Sequence, residues 1–240
     1  MGAAADPSSP LAAPQSALTA DAAARAASIP AITSAGVFPG LSGLLAAAMR
    51  DDAALEGAGP YAADAAPSSV SRIRYAYYVA GSGGAGPAVL AATMLLAGTP
   101  VAAWRDRARV EAGPWSQPLP ADFGPGVGVK EVYLVDLPEV EAAATVLGAA
   151  SVSARFATAP AVFNLGMRAL ASFGPRAWVT DPAAAAAVAA ALAPLVAAGD
   201  ALVGGKIAMR IDLETAAGGV AQVIGLGVGA MRSGGLVVAD

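Results

Sequence analysis

The chain has 240 residues and a formal net charge of −4, and it contains neither cysteine nor histidine. The missing cysteine excludes disulfides, thiolate nucleophiles and cysteine metal sites, and the missing histidine removes the commonest general base and metal ligand. Chemistry must therefore come from carboxylates, arginines, tyrosines, backbone groups or the lysines Lys130 and Lys206, and the scattered arginines give no electrostatic footprint for nucleic acid.

Residues 1–18 are rich in Ala, Pro and Ser and read as a tail; they lack the basic and apolar regions of a signal peptide. A short helix is predicted over 21–28 and a strand over 31–36. Gly36, Pro39 and Gly40 mark a turn into a second helix over 41–50. Residues 51–69, dense in Gly, Pro, Ala and acid, read as a linker or surface loop.

A strand, a glycine turn and a helix follow at 72–97. The strand alternates, with Arg72 and Arg74 on one face and Ile73, Tyr75, Tyr77 and Val79 on the other, so it reads as half-buried. Gly81, Gly83 and Gly86 satisfy G-x-G-x-x-G, with Gly84 inside the turn. That pattern cradles a pyrophosphate where a strand buried on both faces precedes it. It also suits a plain tight turn, or helix-start N–H groups that hold a carboxylate or phosphate. Asp106 stands at about the distance of a ribose-binding acid, but residues 101–113 read as two short strands around an Asp-Arg turn, which places Asp106 at a hairpin tip.

Residues 113–128 are expected to be an irregular loop, broken by Pro and Gly. A strand is predicted over 131–135. Asp136 and Glu139 then form a D-x-x-E capping box opening a helix over 137–147. An alternating strand over 151–158 leads into a helix over 160–173. Residues 182–199 are apolar but Ala-rich, with Pro194 inside. They read as a packed soluble helix, Asp181 as N-cap and Pro182 first, rather than as a membrane span. Two strands over 205–214 and 220–226 close a hairpin across an Ala-Gly-Gly turn. Strands both alternate with helices and pair as hairpins. The expected class is α/β with α+β character: a mixed sheet covered by helices.

Candidate site residues follow from this layout. Asp136 and Glu139 stand at the C-terminal end of a strand, where open α/β sheets place ligands, with helix capping as the plainer role. Arg155 suits a bidentate carboxylate contact, against a plainer role as an ion-paired arginine. Asn164 and Phe163 could line the same cleft. Tyr75, Tyr77 and Tyr78 read as core with their hydroxyls reaching water, and Lys130 and Lys206 as solvated side chains. No triad, paired-carboxylate or metal constellation appears.

Five ordered segments, AITSAGVFPGLSGLLA (31–46), YYVAGSGGAGPAVLAATMLLAG (77–98), DFGPGVGVKEVYLVDLPEV (122–140), SVSARFATAP (151–160) and AMRIDLE (208–214), resemble the saccharopine dehydrogenase-like oxidoreductases. The resemblance implies a nucleotide-binding Rossmann domain followed by a mixed α/β domain for substrate and dimer contacts. On it, residues 19–50 are the remnant of the first domain, with Gly36, Pro39 and Gly40 near the cofactor. Residues 70–227 are the second domain, and 228–240 a tail. Gly81, Gly83, Gly84 and Gly86 then belong to the substrate side with Asp136, Arg155 and Asn164. The family's cofactor fingerprint lies well upstream of AGVFPG and finds no room here. The implied function is thus the substrate-side portion of an enzyme passing hydride between NAD or NADP and an imine or amino-acid-type substrate, weak or inactive alone. The alternative is a non-catalytic dimerisation or carboxylate-binding module. Implied partners are a small-molecule substrate and a second copy, with no nucleic acid and no membrane. The expected protein is soluble, its compartment open between cytoplasm and organelle.

Overall fold

The fold is described from a computed structural model, which describes residues 21–28, 36–58, 69–80, 86–203, 205–216, 218, 220–228 and 237–238. Its centre is a pair of parallel strands, β1 (Val70–Ala80) and β6 (Ser151–Ala159), in register from Arg72 opposite Ser151 to Ala80 opposite Ala159. Between them in the chain come β2 (Val101–Arg105), β3 (Ala108–Ala112), β4 (Leu119–Asp122) and β5 (Val129–Leu134). After them come β7 (Lys206–Thr215), β8 (Val220–Val228) and β9 (Val237–Val238). The order across the sheet is β3-β2-β6-β1-β7-β8-β9, with β5 also pairing β6 and β4 pairing β5. Only β1 and β6 pair in parallel among the described strands, so the sheet is mixed and mostly antiparallel, and the α/β class stands.

The helices are α1 (Asp21–Ala26), α2 (Leu41–Ala58), α3 (Gly86–Gly98), α4 (Pro138–Thr145), α5 (Ala161–Phe173), α6 (Arg176–Thr180) and α7 (Pro182–Val203). Ile73, Tyr75 and Tyr77 of β1 share a core with Val152 and Ala154 of β6, Met209, Ile211 and Leu213 of β7, Ala46 and Met49 of α2, and Val140 and Ala143 of α4. A second cluster joins Met94 and Ala97 of α3, Val179 of α6, and Ala185 and Ala189 of α7 to Trp115 and Tyr133. Burial of these side chains, at roughly 25 cal/mol per Å² of apolar surface, is what holds the helices on this face.

The opposite face is treated differently along its length. Ala76, Tyr78 and Ala80 are buried there, with Ala157 and Ala208, beneath Ala121, Phe123 and Val132 of the β4–β5 hairpin. Arg72 and Arg74, on the same face by alternation, stay half-exposed. The half-buried reading of β1 therefore holds only for its first half, and beyond Ala76 the strand is covered on both sides. Val79 is only partly buried.

Several local expectations need correction. Residues 51–58 continue α2 instead of starting a linker, and α2 shares its core with the sheet. The irregular loop over 113–128 contains β4, where Pro120 is tolerated because β4 pairs only with β5, and Trp115 is fully buried against Tyr133 and Phe156. The capping box is out of step by one residue: Leu137 is the N-cap of α4 and no side chain caps it. The 101–113 hairpin, the 205–226 hairpin and the helix after Asp181 form as expected. Asp106 and Arg107 both take positive φ at the first hairpin's tip, as a two-residue turn requires. The strand expected over 31–36 lies, but for Gly36, outside the described residues.

Pro182–Gly199 within α7 is, by length and composition, long and apolar enough to cross a membrane, and 17 % of it is buried. Asp181 accepts from the Ala183 N–H through Oδ1 at 3.1 Å, and the helix packs on α3 and α6.

Candidate anion site on the open half of the sheet

Where the β4–β5 cover ends, the sheet leaves a cavity of about 410 Å³. Strand register builds it. On β6, Ser151, Ser153 and Arg155 alternate onto the open face and line the cavity floor. On one side β1 sets Arg72 beside Ser151 and Arg74 beside Ser153. On the other, the Trp104–Val152 pair puts Arg105 beside Ser151 and Ala103 beside Ser153. Leu134 of β5 stands opposite Arg155 and closes that end. Two serines thus form a floor ringed by four arginines.

The charges are only partly compensated: Asp106 and Glu111 also line the cavity, but neither makes an ion pair among the described residues. Glu214 of β7 takes Arg72 at 2.6 Å and Arg74 at 3.4 Å. Arg155 is 9 % exposed and makes no ion pair among the described residues. Its NH1 group donates to Ser153 Oγ at 2.7 Å, and its buried Nε has no hydrogen-bond partner. Burial, and then the neighbouring Arg74 guanidinium, lower its pKa to about 10. A buried cation next to a like charge is costly unless an anion joins it.

The serines supply further donors. Ser153 Oγ already accepts from Arg155, and Ser151 Oγ accepts from the Asp106 N–H at 3.0 Å. Each hydroxyl hydrogen is left free to donate. Guanidinium N–H and serine O–H together make a donor surface, which matches the acceptor-only oxygens of a carboxylate or phosphate.

Among the described residues, Asp136, Arg155 and Asn164, expected to share a site, each have separate surroundings. Gly81, Gly83 and Gly84 lie outside the described residues, and Gly86 is the first residue of α3. Gly86 comes after the C-terminal end of β1 in the chain, whereas Arg72 and Arg74 stand near the strand's start. Asp136 is 3 % exposed and accepts the Ala102 N–H at 3.0 Å, tying β2 to the end of β5, so it is neither a cap nor a cleft residue. Glu139 is likewise buried and accepts from the Tyr77 hydroxyl. Asn164 accepts from the Thr158 N–H at 2.9 Å and donates to the Thr158 carbonyl at 2.7 Å, fixing the exit of β6 into α5. Phe163 lies against Gly199 of α7.

Tyr75 and Tyr77 are core, but their hydroxyls do not reach water: both residues are at most 1 % exposed. Lys130 lies over the Tyr78 ring, 5.4 Å from its centroid, and Lys206 donates to the Gly126 carbonyl. The Gly36 N–H donates to the Pro39 carbonyl and Gly40 has φ 140, closing the turn into α2. Among the described residues of the expected set, only Arg155 lines the cavity. Its companions Arg72, Arg74, Arg105, Ser151 and Ser153 carried a legible signal: polar residues at every second position of strands that otherwise read apolar.

The described residues do not form a Rossmann unit around the glycine turn. A dinucleotide fold returns from its first helix to a parallel strand. Here α3 leads to β2, which runs antiparallel to β6 and therefore to β1, and does not pair with β1. No group of three or more Asp or Glu side chains among the described residues could hold a metal ion. No family model and no curated protein matches the chain.

Proposed function

We propose that this chain binds a small organic acid, in the manner of the substrate-side domain of a saccharopine dehydrogenase-like oxidoreductase. The observation that carries the reading is Arg155, a buried guanidinium beside Arg74 and two serine hydroxyls, with no ion pair among the described residues. A ligand carboxylate supplies the missing partner through charge-assisted hydrogen bonds. In an intact enzyme of that kind, NAD or NADP would carry the hydride and this domain would orient the imine or amino-acid-type substrate. A non-catalytic carboxylate-binding module uses the same cavity, and the antiparallel course of β2, the strand after α3, favours it among the described residues.

Calorimetric titration of the chain with heptanoate at low ionic strength tests the reading, with NADH and NADPH titrated separately. Saturable heptanoate binding that Arg155→Gln abolishes supports it. A folded chain that binds no carboxylate, or binds one equally well after Arg155→Gln, refutes it. Cofactor binding by the same sample decides for the enzyme reading over the module.

A further inference from the structure

The cavity is lined by Arg72, Arg74, Arg105 and Arg155 against Asp106 and Glu111, and two of the arginines, Arg105 and Arg155, make no ion pair among the described residues. Arg105 stands beside Ser151, and Arg155 attaches four residues further along β6. At about 3.3 Å per residue, those positions are roughly 13 Å apart. Each end carries its own donors. At one end Arg155 is joined by Arg74 and by the free hydroxyl hydrogen of Ser153. At the other end Arg105 is joined by the free hydroxyl hydrogen of Ser151, whose oxygen the Asp106 N–H already occupies. Arg72 also stands at this end, but its charge is spent on Glu214 at 2.6 Å. Between the ends the wall is apolar, formed by Ala103 and by Val110, which pairs with Ala103 across the hairpin.

A bare oxyanion would occupy one end and leave most of a 410 Å³ cavity unused. A monoacid bound at Arg155 would leave Arg105 without an ion pair among the described residues. We propose that the cavity takes an organic dianion with an acidic group at each end of an apolar spacer. One end binds at Arg155, Arg74 and Ser153, the other at Arg105 and Ser151, and the spacer lies along Ala103 and Val110. This inference rests on the organic-acid reading and adds the second charge and the length.

The test compares pimelate, a dicarboxylate with a long spacer, with heptanoate, the monoacid of equal length, and malonate, a short dicarboxylate. The full chain is titrated calorimetrically, and two variants are used: Arg155→Gln, and Arg105→Gln at an exposed position where folding is not at stake. Pimelate is expected to bind at least about tenfold more tightly than heptanoate, the effect of one charge-assisted contact. Malonate, too short to reach both ends, is expected to gain no such advantage. Arg105→Gln should bring pimelate down to about the heptanoate affinity, whereas Arg155→Gln should weaken both. Equal binding of pimelate and heptanoate, both lost in Arg155→Gln, overturns the two-ended ligand and leaves the organic-acid reading intact. Absence of binding by all three acids overturns both.

Discussion

Tyr77 of β1 donates its phenolic hydrogen to Glu139 Oε1 of α4 at 2.6 Å, in the core between sheet and helices. The other carboxylate oxygen, the Ser42 hydroxyl of α2 and the Tyr75 hydroxyl are buried with no hydrogen-bond partner among the described residues. One carboxyl group thus links β1 to α4, and it does so out of reach of water.

Burial is the largest influence on Glu139 and raises its pKa; the hydrogen bond from Tyr77, the backbone and the nearby Ser42 hydroxyl pull the other way without overcoming it. A carboxyl whose pKa is raised on folding binds its proton more tightly in the folded chain. Its contribution is complete below the unfolded value of about 4.3 and is lost as pH rises through the folded value. Asp136, also raised chiefly by burial, acts in the same direction. Glu139→Gln removes one of the two groups. Urea midpoints measured from about pH 4 to about pH 8 should fall less steeply for the variant than for the parent. Parallel profiles would show that Glu139 is not raised.

The two tyrosines of the cluster should respond oppositely to loss of the hydroxyl. Tyr77→Phe leaves Glu139 Oε1 buried and unpaired, at a cost of about 1–3 kcal/mol. Tyr75→Phe removes a buried hydroxyl that has no partner, so stability should hold or rise. Both variants keep the ring, and the 6.3 Å stack between the two rings survives. Urea denaturation near neutral pH separates the cases, and similar losses in both would contradict the assignment.

Gly98 ends α3 where it meets α6. A Cβ there would sit 2.1 Å from the Val179 carbonyl oxygen and 2.7 Å from its carbon. Backbone cannot yield as a side chain can, so Gly98→Ala should cost about 3 kcal/mol or more. Gly43, inside α2, meets nothing within 4 Å. There Ala restores helix propensity, and Gly43→Ala should stabilise by up to about 1 kcal/mol. Thermal melts of the two variants should therefore move in opposite directions, and a Gly98→Ala chain as stable as the parent would show that α3 and α6 do not meet this closely.

How far the sequence was readable depends on how local the cause is. The hairpin at 101–112 was legible because a two-residue turn leaves its mark in adjacent residues, and Asp106 and Arg107 carry it. The span after Asp181 was legible for the same reason, through its N-terminal aspartate and proline. The capping box failed because Pro138 is the first helical residue, so Leu137 takes the cap and Asp136 is freed for a bond to Ala102, 34 positions away in the chain. The site failed for a related reason. Which face of β1 stays open depends on the β4–β5 hairpin, whose cover stops before Arg74. Periodicity places Arg72 and Arg74 on one face. Only strand register brings Ser151, Ser153 and Arg155 beside them.

Arg155 gives the sharpest separation of stability from function. In the ligand-free chain it is a buried guanidinium with an unpartnered Nε and a like charge nearby, an arrangement that replacement by an apolar side chain of similar length often relieves. Arg155→Met gives up the Ser153 hydrogen bond but also the cost of holding that charge out of water. The ligand-free variant should therefore be as stable as the parent or more so, by about 1 kcal/mol. Added pimelate should reverse the ranking. A ligand at a hundredfold its Kd stabilises a folded chain by about 2.7 kcal/mol, and the parent alone retains the cation that binds it. Thermal melts with and without pimelate read both effects in one experiment. A variant that melts lower without ligand yet still shifts upward with it would mean that Arg155 serves the fold and that the anion is held elsewhere.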